Sequence, residues 1–118
     1  MGFSRIFATL AMMLAVSLLA GGARADEHTI VIHHMELDRV EAKMRVGDAV
    51  TFENRSDMAH NLYITYSDGS IDNLDTQFPG MKRVVTLKVA GPATIRCWIH
   101  PIIKAEVDIL DKADADPR

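Results

Sequence analysis

The sequence predicts an all-β domain, an antiparallel sandwich or barrel. Three observations point there. Short β-branched segments recur, separated by turn signals; polar and apolar residues alternate with a period of two; and no window of a dozen residues carries a helical stripe. Thr29-Ile30-Val31-Ile32 is the first candidate strand. Val40, Ala42, Met44 and Val46 alternate with Glu41, Lys43 and Arg45, the pattern of a half-buried strand, and Gly47-Asp48 closes it with a turn. Val50 and Phe52 alternate with Thr51 and Glu53. After a polar loop from Asn54 to Asp57, Leu62 and Ile64 resume the pattern. Ser67 to Gly80 reads as a long connection with room for a short irregular strand. Val84–Val89 is the next strand, ended by Gly91-Pro92. Thr94–Trp98 and Ala105–Leu110 complete the set.

The N-terminus does not fit this pattern. A basic start ends at Arg5, an apolar run covers Ile6 to Ala20, and Gly21-Gly22-Ala23-Arg24-Ala25 offers small residues at the spacing of a signal-peptidase site. The run is short for a membrane span and polar sequence follows at once. Residues 1–25 are therefore expected to be a cleaved signal peptide and residues 26–118 a single domain, with no membrane association after cleavage. Ninety-three residues support one modest core. Without Arg5 and Arg24 the chain carries 11 basic and 16 acidic residues, a net charge of −5, which argues against nucleic acid as a partner. The tail from Asp111 to Arg118 is polar and expected to fray.

Export gives the single cysteine its significance. In an oxidising compartment Cys97 cannot form an internal disulfide; it is buried, paired with another chain, or bound to something. His100 lies three residues on, in Arg96-Cys97-Trp98-Ile99-His100-Pro101, and His60 lies upstream in Met58-Ala59-His60-Asn61. One soft thiolate and two imidazoles are the donor set of a mononuclear copper site. A zinc hydrolase could use the same donors with water, but no carboxylate is placed as a general base, Asp57 and Asp75 being read as solvated loop charges. The chain is not expected to be an enzyme. His33-His34 adjoins a strand, so the two rings should point to opposite faces. With His28 they are read as exposed strand residues, although a free amine at Asp26 with His28 at position three could take up Cu(II) adventitiously.

In order along the chain, several segments resemble the cupredoxins, amicyanin in particular: Val46-Gly47-Asp48-Ala49-Val50-Thr51-Phe52, then Asn54 to Asn61, Pro79-Gly80-Met81-Lys82, and Gly91 to Pro101. The resemblance implies a Greek-key β-sandwich holding one copper ion per chain, with His60, Cys97 and His100 as ligands. It implies a monomeric periplasmic carrier of single electrons, with a dehydrogenase or a c-type cytochrome as partner, docking around His100. Ile99, Pro101 and Ile102 are candidates for an apolar patch there, or they simply pack the loop. Trp98 is either a core aromatic or part of that surface. Asn61 either ties the two ligand loops together or is a turn residue.

One position departs from the family pattern. The third residue after the C-terminal histidine is methionine in that pattern, and here it is Ile103, which has no donor atom. Three arrangements are open: a three-coordinate ion capped by Ile103, an approach by the Ala59 carbonyl from the opposite side, or a reach by Met58 or Met81. The first two together are favoured. The departure keeps a second function in view, a copper-handling or cofactor-maturation accessory in methylamine utilization.

Overall fold

The computed structural model describes residues 25–40 and 43–112. The expected signal peptide, all but Ala25, and most of the polar tail lie outside them. Eight strands form two sheets: β1 (Glu27–Ile32), β2 (Met44–Arg45), β3 (Ala49–Asn54), β4 (His60–Thr65), β5 (Ile71–Gln77), β6 (Lys82–Thr86), β7 (Gly91–Cys97) and β8 (Lys104–Leu110). One sheet has the order β1-β3-β6 and the other β2-β8-β7-β4-β5. Most neighbours are antiparallel, as expected for a sandwich. Two pairs, β1–β3 and β2–β8, run parallel; neither joins consecutive strands, so neither is constrained to the antiparallel course of a hairpin. Among the described residues no helix is long and apolar enough to cross a membrane.

The inward faces follow the period of two. Ile30 and Ile32 of β1 and Val50 and Phe52 of β3 meet Leu62 and Ile64 of β4, Ala93, Ile95 and Cys97 of β7, and Ile109 of β8 in one buried cluster. Cys97 thus belongs to the core while standing at its edge.

Several expected boundaries move, among them that of the strand foreseen over Val84–Val89, which runs from Lys82 to Thr86. Of the strand foreseen over Val40–Val46, residues 41 and 42 lie outside the described residues, and among the described ones Met44–Arg45 is strand, pairing with the end of β8 at Ile109 and Leu110. Gly91-Pro92 opens β7 instead of closing its predecessor. Gly91 has φ +110°, and a Cβ there would stand 2.8 Å from the Ser67 hydroxyl, so the tight entry needs glycine. The connection after Ser67 contains a full seven-residue strand, β5. Its alternation is hidden by a bulge: Asn61 faces Thr76 and Tyr63 faces Asn73, leaving one extra residue on β5, with Asp75 at φ +61°. Asp75 is consequently a strand residue, not a loop charge.

A polar lock holds the far end of β5. The Tyr66 hydroxyl donates to Asp72 Oδ2 at 2.7 Å and Lys88 Nζ donates to Oδ1 at 2.8 Å. Burial raises the Asp72 pKa, but the Lys88 and Tyr66 hydrogen bonds outweigh it and hold the carboxyl below its ordinary value. The same burial, with the Asp72 bond, pushes the Tyr66 phenol up. A carboxyl depressed in the folded state contributes stability that is fully present above the unfolded value, about 3.9. That stability is lost as pH falls through the lower folded value. Urea midpoints measured across this acid window should therefore fall less steeply for Asp72→Asn than for the parent; equal slopes would contradict the lock.

Candidate metal centre

His60 is the first residue of β4 and Cys97 the last of β7. These strands are neighbours, with Leu62 opposite Cys97, so the ladder fixes the distance between the two donors. His100 sits in the short loop before β8. Its carbonyl accepts from Ile103 N–H at 3.0 Å, and Arg96 Nη2 donates to the Pro101 carbonyl at 3.3 Å, which together curl the loop back over the sheet end. One donor atom from each of His60, Cys97 and His100 lies within 4.8 Å of the others. Cys97 Sγ is 3.8 Å from His100 Nδ1, and the two rings are 4.9 Å apart between centroids.

The donor set fits a metal ion. With bonds of roughly 2.1 Å to nitrogen and 2.3 Å to sulfur, two ligands at a trigonal angle stand about 3.8 Å apart, which matches the observed separation. His60 Nδ1 is buried and has no hydrogen-bond partner. A buried polar atom of that kind is costly unless something binds it. Burial first, then the positive charges available to His100 and His34, holds the His60 imidazole below the usual histidine range, so it stays in the neutral form that ligates.

Asn61 does link the two loops, but through its backbone. Its N–H donates to Cys97 Sγ at 3.4 Å and its carbonyl accepts from Trp98 N–H at 2.9 Å, while its side chain reaches Thr76 Oγ1 at 3.5 Å. The first of these bonds puts a donor on the thiolate, a recognised way to tune a metal-bound sulfur. Ile103 is fully buried in the core cluster with Cys97. Ala59, which immediately precedes His60, is half-buried. Met81 is committed elsewhere: its sulfur accepts from Phe78 N–H at 3.3 Å. Met58 offers its carbonyl to Asn54 Nδ2.

The remaining histidines do not join the cluster. His33 and His34 lie in the loop after β1, not on a strand, and each pairs with its own aspartate, Asp38 and Asp57. His33 and His34 keep the exposed side chains expected of them, but His28 does not: it is tucked against Asp48 at 2.9 Å, and Asp48 also accepts from Asp26 N–H at 3.0 Å. The ring and the nitrogen that an adventitious Cu(II) would need are both engaged there.

Around His100 the surface is apolar. Trp98 is 55 % exposed, Ile99 50 % and Ile102 75 %, and Pro101 is exposed between them. Trp98 does not enter the core. It stacks on Tyr63 with centroids 3.9 Å apart and donates from Nε1 to Asn73 Oδ1 at 3.0 Å, which immobilises the indole on the outer face of the sheet.

Sequence reasoning missed Asn54, Ser56 and Gln77. Asn54 and Gln77 are fully buried, and Ser56 Oγ lies 2.9 Å from His60 Nε2. Gln77 Nε2 donates to the Phe52 carbonyl at 3.0 Å, joining β5 to β3 across the sandwich beneath the His60 loop. The Ser56 N–H bonds Asn54 Oδ1 at 3.0 Å, a local turn that an Asn two residues before a Ser at a strand end could have signalled.

A two-sheet β-sandwich with a His-Cys-His cluster at one end defines a cupredoxin. Solved structures agree on the fold: an amicyanin from Paracoccus versutus superposes with a TM-score of 0.61 at 21 % identity, covering 76 % of this chain and 87 % of that one. An oxidised amicyanin variant does so with a TM-score of 0.60 at 25 % identity and the same coverage. No family model matches the chain. Among curated proteins, the methylamine utilization protein MauL of Methylorubrum extorquens is 46 % identical over 104 residues, spanning 88 % of this chain and 91 % of that protein. MauL of Methylophilus methylotrophus is 38 % identical over 85 residues, 70 % of this chain and 49 % of that protein. The chain belongs to the MauL family of cupredoxin-like proteins.

Proposed function

We propose that His60, Cys97 and His100 hold one copper ion and that the protein carries single electrons between periplasmic redox partners in methylamine utilization. The observation that carries this reading is a buried histidine with an unpartnered Nδ1, His60, whose ring brings a donor within 4.8 Å of a thiol and a second imidazole. Bound copper would supply the one-electron Cu(I)/Cu(II) couple. The chain's own part is to hold the donors still: β4 and β7 fix His60 and Cys97, and the Asn61 backbone stitches the loops, so little rearrangement accompanies a change of charge. The exposed Trp98, Ile99 and Ile102 surround His100 and suit a small, weak contact with a dehydrogenase or a c-type cytochrome. A reversible one-electron wave with fast self-exchange in the copper-loaded protein is the expected result.

Ile103 favours a second reading, a copper-handling or cofactor-maturation accessory. Its side chain has no donor, and methylamine utilization proteins are the curated relatives. A protein of that kind would hand Cu(I) to a partner without cycling, and the absence of a reversible wave would favour it. Under the electron-carrier reading, Ile103→Met adds a thioether that stabilises Cu(II) more than Cu(I). Redox titration should show a lower reduction potential in the variant. An unchanged or higher potential would remove Ile103 from the axial position.

A further inference from the structure

We propose that Asn54 and Ser56 form a hydrogen-bond relay that sets the protonation site of the His60 ring, making Ser56 a positioning residue for the metal centre. The inference rests on the metal-site reading given above and adds to it the group that prepares His60 before any ion arrives.

Asn54 Nδ2 donates to two carbonyls, those of Met58 and Gln77, each at 2.9 Å. Both amide hydrogens are thereby used, and the amide is oriented with Oδ1 toward Ser56. Ser56 Oγ lies 2.7 Å from that oxygen. Asn54 Oδ1 can only accept, and a serine hydroxyl has a single hydrogen to give. The hydroxyl must therefore donate to Asn54, since two bare oxygens at 2.7 Å would repel. The Met58 carbonyl, 3.0 Å from Oγ, is the other acceptor in reach; each of the two oxygens already receives one N–H, the 2.7 Å contact is the shorter, and either choice turns the hydroxyl hydrogen away from His60.

With its hydrogen committed, Ser56 Oγ can only accept from its remaining neighbours. One is Met58 N–H at 3.3 Å. The other is His60 Nε2 at 2.9 Å, which must carry the proton. The neutral ring then has its lone pair on Nδ1, the buried atom that lacks a partner. The opposite tautomer fails twice. It would bury an N–H at Nδ1 with nothing to accept it, and it would leave the Nε2 lone pair facing the Ser56 oxygen.

The relay also explains why a buried asparagine ends β3. Asn54 sits beside the His60 loop with no solvent exposure, and every one of its side-chain hydrogens and its oxygen are in use. An acceptor on Nε2–H makes an imidazole a better ligand and fixes its plane. The metal-free ring is thus held in the state that ligation requires, so binding needs no proton shift.

The test uses histidine-ring nitrogen NMR on the metal-free protein, with Cu(I) affinity measured by competition against a chromogenic chelator. In the parent protein His60 should show a protonated Nε2 and a bare Nδ1. Ser56→Ala should destroy that preference and weaken Cu(I) binding by about 10- to 100-fold, the range for losing an outer partner of a ligating histidine. Ser56→Thr keeps the hydroxyl and should restore both readouts, which a purely structural role for a small side chain would not. A parent ring protonated at Nδ1 would overturn the relay. So would a Ser56→Ala protein with an unchanged ring signal and affinity, or a threonine variant that behaves like alanine. If the ring responds as expected but no variant, nor the parent, binds Cu(I), the relay stands and the copper reading fails.

Discussion

Replacing Cys97 with serine should lower Cu(I) affinity by more than about 100-fold, since losing an outer-sphere partner alone costs about 10- to 100-fold. The reason is donor chemistry. A thiolate is soft and anionic, whereas a serine hydroxyl remains protonated and hard near neutral pH. Stability should change far less. Cys97 is buried, and burying a hydroxyl in its place costs about 1–3 kcal/mol when unpaired. Asn61 N–H, which now meets the sulfur at 3.4 Å, would offer the new oxygen a partner. Chelator competition and urea unfolding of the metal-free variant separate the two effects. Unchanged affinity would show that Cys97 is a core residue and nothing more.

Phe52→Ala is expected to produce the largest loss of stability, about 3–5 kcal/mol. Phe52 is fully buried on β3, paired with Ile30 on β1 and Arg83 on β6, and no backbone neighbour can move in to fill the space without breaking a ladder. Domains of this size hold only about 5–15 kcal/mol in total, so the urea midpoint should fall by a large fraction. Copper binding should weaken with it, because the Phe52 carbonyl receives Gln77 Nε2–H and Asn54 lies two residues on at the end of the same strand. A loss below about 1 kcal/mol would mean that the sandwich collapses around the gap, contrary to the rigidity ascribed to the site.

How much of this was legible in the sequence depends on whether a residue's role is set by its type or by its neighbours. His60, Cys97 and His100 could be picked out because few side chains offer soft or imidazole donors, and a lone cysteine invites the question of what it binds. The strands carrying them show a clean period of two. β5 did not, because the bulge at Asp75 shifts the inward positions from Leu74 to Gln77. Gly91-Pro92 was read as a stop because those residues usually are one; here the positive φ at Gly91 turns the chain into β7. Asn54 and Ser56 were passed over as ordinary loop residues. Their significance comes from two carbonyls and a ring nitrogen that folding brings within 3 Å, and no spacing in the sequence records that. The resemblance implied a link between the two ligand loops at Asn61 without saying which of its atoms make it; the bonds run through its backbone, which any residue but proline could supply.

Ile103 was conspicuous from the sequence, and its complete burial in the same core cluster as Cys97 sharpens its meaning. Its side chain is hydrocarbon, and the histidine and cysteine donor atoms gathered at this end of the sandwich are those of His60, Cys97 and His100. The measurement that tests this most directly is the visible spectrum of the purified protein on titration with Cu(II). One equivalent should bind and produce an intense thiolate-to-copper charge-transfer band. Failure to bind copper, or stoichiometric binding with no such band, would contradict a site built on Cys97.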